Sequence, residues 1–215
     1  MIKKSVSDKD LFKIYDENTD KTYFGCSQEW YTTEWQRRAG CGPTTASNII
    51  LYMTKKQNFT LSDQKYGSKE ECLSLMNEVW QYVTPSNRGM PTTKMFYECI
   101  IEYVKSKGLN YSYNCIDIPE EADQRPGFRE LLGFIEQALT NDAPIAFLNL
   151  CNGDEKNLDR WHWVTLISLD YAEDLSSAFI CILDEGMIKS IDLVLWYKTT
   201  ILGGGFVYLT GSGKM

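Results

Sequence analysis

The residues best suited to chemistry stand together in Trp35-Gln36-Arg37-Arg38-Ala39-Gly40-Cys41-Gly42-Pro43-Thr44-Thr45-Ala46. Proline is tolerated in the first turn of a helix, where its missing N–H costs nothing, so Pro43 puts a helix start at about Cys41. A sulfur at that position faces the positive end of the macrodipole and unpaired backbone N–H groups, which suits an anionic nucleophile. Gly40 and Gly42 carry no side chains that would crowd the sulfur, so a substrate carbonyl is expected to approach it closely. Gln36, five residues upstream, is expected to point its amide at that carbonyl oxygen and, with the backbone N–H of Cys41, to stabilise a developing oxyanion.

A thiol nucleophile needs a group that takes up and returns a proton, and the chain has one histidine, His162. It lies in Trp161-His162-Trp163-Val164-Thr165-Leu166-Ile167, a strand-like run whose alternation sets His162 with Val164 and Leu166, and the tryptophans opposite. An imidazole used this way is oriented by an acceptor on its other nitrogen. The following strand ends in Ile182-Leu183-Asp184-Glu185-Gly186, which makes Asp184 the first candidate and Asp170 the reserve.

These residues must be held by a scaffold, and the pattern of the chain predicts one. A helix covers Thr44–Met53. A second begins after Ser68, where Ser68 and Glu71 form a capping box, and runs to about Val83. A third spans about Thr92–Ser106 with Phe96, Ile100, Tyr103 and Val104 on one stripe, and a fourth follows Pro126-Gly127 to about Asn141. From residue 143 the period changes to that of strands: 144–150, 161–168, 178–183 and 205–209, with Leu109–Ile118 as an edge strand and 192–197 open to either helix or strand. The expected fold is α+β, one domain over 1–215, with a helical part at about 41–142 and an antiparallel sheet at about 143–209. Residues 1–40 show little regular periodicity. Residues 56–128 are expected to build much of one cleft wall, and the loop 151–159 a mobile rim beside His162. Trp161, Trp163 and Trp196 are expected in the core.

Composition excludes other classes. There are 29 Asp and Glu against 22 Lys and Arg, a formal charge of −7, and the basic residues are scattered, so nucleic acid is not an expected partner. Seven cysteines, odd in number and never in a Cys-x-x-Cys pair, fit a reduced protein with mostly buried thiols rather than a disulfide or zinc framework. No cofactor or metal is expected. No apolar run approaches the roughly 18 residues of a membrane helix, and the N-terminus lacks the apolar run of a secretory signal, so a cytoplasmic location is expected. Gly203-Gly204-Gly205 and Gly211-Ser212-Gly213-Lys214 precede no helix and are not phosphate loops.

Gln36 ahead of Gly40-Cys41-Gly42-Pro43-Thr44-Thr45-Ala46, then Trp161-His162-Trp163-Val164, then Leu183-Asp184, resembles the papain-like cysteine peptidases. The resemblance is closest to the bacterial branch that includes the bacteriocin leader peptidases. It implies a papain-like fold and cleavage of a peptide or amide bond through a thioester acyl-enzyme. Cys41 would then be the nucleophile, Gln36 the oxyanion donor, His162 the acid and base, and Asp184 its orienting partner. An acyltransferase of the same fold, or a binding domain that keeps the fold without catalysis, is the alternative.

Overall fold

The computed structural model describes residues 1–56 and 67–211, so Ser212–Lys214 of the glycine-rich terminus lie outside the described residues. The chain opens with strand β1 (Ile2–Ser5) and a hairpin of β2 (Lys13–Asp16) and β3 (Lys21–Phe24). A short 3-10 turn at Gln28–Trp30 leads into α1 (Glu34–Ala39), which meets α2 (Cys41–Lys56) at Gly40. Then come α3 (Lys69–Trp80), α4 (Thr93–Ser106), β4 (Tyr111–Ile118) and α5 (Phe128–Thr140). The last part is β5 (Ile145–Asn149), β6 (His162–Tyr171), β7 (Ala178–Asp184), β8 (Met187–Asp192), α6 (Leu193–Thr199) and β9 (Gly204–Gly211).

Among the described residues one sheet runs in the order β4-β9-β5-β6-β7-β8, and β1 pairs with the far end of β6. Every pairing is antiparallel. Both faces of this sheet are covered. Successive residues of a strand point to opposite faces, so Phe147 packs with Val164, Phe206 and Trp196 beside α5. Its neighbours Ala146 and Leu148 join Trp163, Val207 and the apolar stripes of α2, α3 and α4. Double-sided burial explains why β5 and most of β6 read as unbroken apolar runs rather than as alternation. Phe96 of α4 stacks on Trp163 of β6, ring centroids 4.5 Å apart. Each such buried aromatic contributes roughly 1.5–3 kcal/mol by removal from water, which fixes the histidine strand against the helical layer.

The α+β class, the four helices and the strands expected after residue 143 are all present. Both hydrogen bonds of the Ser68–Glu71 capping box are made. The open segment near 192–197 is a helix, because the Asp192 carboxylate accepts from the Leu195 N–H as its cap. Three expectations are corrected. Residues 1–40 hold three strands and α1, while β1 and β4 both join the sheet, so helical and sheet parts are not cleanly divided along the chain. The loop 151–159 is tied down rather than mobile: buried Glu155 accepts from the N–H groups of Asn157 and Asp192, and Leu158 sits in the core. Trp163 and Trp196 are buried, but Trp161 is 57% exposed. Its backbone lies in the left-handed region at φ 55°, which takes it out of the strand alternation.

No helix among the described residues is long and apolar enough to cross a membrane.

Candidate active site

Cys41 is the first residue of α2 and is half-buried. The two glycines beside it serve the packing of the backbone. A Cβ on Gly40 would stand 2.3 Å from the Gln36 carbonyl oxygen and 2.8 Å from the Tyr31 ring, so only glycine allows α1 to turn directly into α2. A Cβ on Gly42 would stand 2.7 Å from the Met90 sulfur. The expected role of these glycines, access for the substrate, is thus accompanied by a stricter one, close approach of chain segments that set the sulfur in place.

His162 begins β6 and Asp184 ends β7, two adjacent strands. Both side chains are buried, and His162 Nε2 stands 2.7 Å from Asp184 Oδ1. That contact leaves Nδ1 as the nitrogen available to Cys41, which lines the same narrow space as the ring. Glu185 and Gly186, at φ 50° and 75°, make the two-residue turn from β7 to β8. The turn brings Lys189 back to Asp184, its Nζ 2.6 Å from the second carboxylate oxygen. Burial opposes the charge of Asp184, but hydrogen bonds and attraction from His162 and Lys189 outweigh it and hold the carboxyl below its usual pKa. Burial likewise opposes a charge on His162. The hydrogen bond that the ring donates to Asp184, the neighbouring Cys41 and the attraction of both groups prevail, and the imidazole is pushed up to about 10.

Gln36 is not brought to this group. It lies in the first turn of α1, and its Oε1 accepts from the Thr33 hydroxyl at 2.9 Å, in the helix cap. A different glutamine, Gln28, lines the narrow space with Cys41, His162 and Asp184. That space is about 10 Å³, room for about one water molecule. Gln28 Oε1 and Thr44 Oγ1, both on this space, are buried without a hydrogen-bond partner among the described residues. Gln28 is held by the segment that carries it. Gly25 turns at φ 78° against Asn48, the Cys26 N–H donates to Asn48 Oδ1 at 2.7 Å, and Asn48 Nδ2 donates to Thr165 Oγ1 on β6 at 3.1 Å. One buried asparagine of α2 therefore ties the glutamine segment and the histidine strand to the cysteine helix. Nothing in the sequence distinguishes Gln28 from Gln36, since both stand upstream of Cys41 in polar surroundings. The signal is the three-dimensional path of 25–28.

On its other side Cys41 opens on a cleft of about 230 Å³ between the start of α2, the 87–91 segment and the ends of β5 and β6. Among the described residues of 56–128, Asn87–Pro91 reach this wall. Asp170, the reserve partner for the histidine, instead pairs with exposed Lys3 at 3.2 Å. Among the described residues no group of three or more His, Cys, Asp and Glu stands close enough together to hold a metal ion.

No protein-family model matches the sequence, and no curated protein matches it. Solved structures do match. The crystal structure of UfSP from C. elegans superposes with a TM-score of 0.54 at 10% identity, covering 98% of this chain and 34% of that one. The chain thus spans about a third of the length of the protein it matches, and the likeness extends over nearly all of its own. Helices followed by an antiparallel sheet, in the arrangement of that papain-like protease, make this an α+β papain-like fold.

Proposed function

We propose that the chain is a thiol hydrolase that cleaves a peptide or amide bond. The observation that carries this reading is that Cys41, at a helix start, lines one narrow space with His162, whose Nε2 is bonded to Asp184. The resemblance of 40–46, 161–164 and 183–184 to the bacterial leader-peptidase branch belongs to the same proposal.

The Cys41 sulfur attacks the substrate carbonyl, and the oxygen takes up the electron pair of the C=O bond. The Cys41 N–H and the Gln28 amide, in place of Gln36, hold that oxyanion. Collapse breaks the C–N bond as His162 gives its proton to the leaving amine, leaving a thioester on Cys41. His162 then removes a proton from water, the hydroxide attacks the thioester, and the acid product leaves as the sulfur is restored. Asp184 keeps the ring oriented and stabilises its charged form.

Iodoacetamide at neutral pH should label Cys41 first among the seven cysteines, and hydrolysis of a fluorogenic peptide library should vanish in Cys41→Ala. Gln28→Ala should lower kcat by about 10²-fold, as loss of an oxyanion donor does, whereas Gln36→Ala should leave kcat within about twofold. Labelling that favours another cysteine, or cleavage that survives Cys41→Ala, would refute the reading.

A further inference from the structure

The cleft beside Cys41 has a charge opposite to that of the molecule. The chain carries a formal −7, yet among the described residues the ionisable groups along the cleft, apart from Cys41, are Arg38 and Arg88, with no Asp or Glu. Among the described residues neither guanidinium has a carboxylate within ion-pair distance. The contrast with the adjacent arginine is instructive. Arg37 Nη1 donates to the carbonyls of Tyr31 and Thr32 at 2.8 and 2.9 Å and so serves the fold, while Arg38 is left to the cleft.

Arg88 is presented by a built turn. Ser86 and Gly89 exchange backbone hydrogen bonds at 3.1 and 2.9 Å, Gly89 turns at φ 74°, and the Trp163 indole donates to the Met90 carbonyl at 2.8 Å. The base of the arginine turn is thereby fastened to the histidine strand. Two exposed indoles complete the rim: Trp35, one turn of α1 before Arg38, and Trp161, immediately before His162. The left-handed backbone of Trp161, uncommon for a bulky residue, places on the cleft wall an indole that strand alternation would have carried elsewhere.

We propose that this cleft selects substrates with a carboxylate close to the bond that Cys41 attacks, the carboxylate being held by Arg38 and Arg88 between the indoles of Trp35 and Trp161. Guanidinium forks match carboxylates in two-point hydrogen bonds, and the indoles supply flat apolar surface for the chain that bears the acid. The cleft is smaller than the roughly 300–1,000 Å³ that encloses a drug-sized ligand, so it takes a short extended stretch of substrate. The proposal rests on the hydrolase reading for its choice of bond, but the anion preference can be measured without turnover.

The test compares anionic iodoacetate with neutral iodoacetamide as alkylators of Cys41, read as the rate ratio from mass spectrometry of the Cys41 peptide. In the wild-type chain the ratio should exceed that of a free cysteine peptide by about tenfold, and in Arg38→Gln/Arg88→Gln it should fall about threefold to tenfold, as loss of charge-assisted contacts at an exposed site predicts. A ratio equal to that of the free peptide, or one that survives in the double variant because His162 alone attracts the anion, overturns the proposal. Slow alkylation by both reagents would count against the hydrolase reading, and the ratio would still decide this one.

A second measurement needs no variant: cleavage of three fluorogenic peptides, one with Glu beside the scissile bond and an amidated end, one with Gln and an amidated end, one with Gln and a free carboxyl end. Higher kcat/KM for the first assigns the carboxylate to a side chain, and for the third to a chain terminus. Equal cleavage of all three overturns the proposal.

Discussion

At the scale of single residues, the imidazole of His162 reports on the whole candidate site. Two of the influences that raise its pKa to about 10 come from Cys41 and two from Asp184, against the opposing effect of burial. The chain has one histidine, so its ring protons give one titrating NMR signal. The wild-type midpoint should lie near 10 and should move down, toward the ordinary value of about 6.5, in Cys41→Ala and again in Asp184→Asn. Superimposable curves for wild type and Cys41→Ala would break the link between ring and sulfur. That Cys41, His162 and Asp184 come together around one space is anticipated by the sequence, because each combines a chemically able residue type with a local element signal: proline in a first turn, a β-rich run, a strand end before Glu-Gly. Gln36 stands nearer to Cys41 along the sequence, but distance along a chain does not measure distance in space. Thr33 holds its amide, and the path through Gly25 and Asn48 brings Gln28 instead.

At the scale of elements, the junctions that set Cys41 can be tested one at a time. Gly40→Ala should destabilise by about 1–3 kcal/mol, as overpacking does, because the new methyl meets a backbone carbonyl and the Tyr31 ring. Gly42→Ala should cost less, since the group it meets is the thioether of Met90, which has three rotatable bonds and yields. Urea unfolding of the two variants should rank them in that order, and the reverse order would show that the α1–α2 junction is not the rigid one. Asn48→Ala leaves the buried Cys26 N–H without its acceptor, which should cost about 1–3 kcal/mol, and it frees the segment bearing Gln28 from the histidine strand. In peptide cleavage the same variant should lose kcat with little change in KM, a split that a merely structural role would not produce. Elements with strong local codes were readable, such as α3 with its capping box and α5 with its apolar stripe. The strands β1, β2, β3 and β8 are four to six residues long and owe their existence to partners elsewhere in the chain. For β8 a signal was present, since Glu185-Gly186 offers a two-residue turn between β7 and a run of alternating residues.

At the scale of the whole molecule, the charged groups that fasten distant segments predict a pH profile for stability. Asp142, in the turn between α5 and β5, accepts from the Ser7 N–H and hydroxyl and from the Tyr52 hydroxyl, each at 2.6 Å, and pairs with Lys56. It thereby joins the N-terminal segment to α2. Burial opposes its charge, but these donors hold its pKa down at about 2. A carboxyl with a lowered folded pKa contributes stability that is complete above its unfolded value, about 3.9, and is lost as pH falls toward 2. The raised His162 contributes in the opposite sense: its share is complete below about 6.5 and is lost as pH rises toward 10. Unfolding free energy should therefore be greatest between about pH 4 and 6.5 and fall on both sides. Asp142→Asn should flatten the acid limb and His162→Gln the alkaline limb, as followed by urea denaturation across pH. An acid limb unchanged in Asp142→Asn would mean that other carboxyls carry it.

The sequence by itself determined the chemistry available and the order of most elements. One histidine leaves one candidate base, a proline after Gly-Cys-Gly sets a helix start, and apolar periods of 3.6 and then 2 specify helices before a sheet. These are local properties, written within a few residues of where they act. Only the tertiary structure decided which glutamine stands beside Cys41, that Lys189 shares Asp184, and that two arginines of an acidic chain face one cleft. Those facts depend on contacts between residues far apart in sequence, such as Asn48 with Cys26 and Thr165 or Trp163 with Met90. Such contacts form only when burial of the two faces of the sheet has fixed the layers against each other, and no spacing along the chain encodes them.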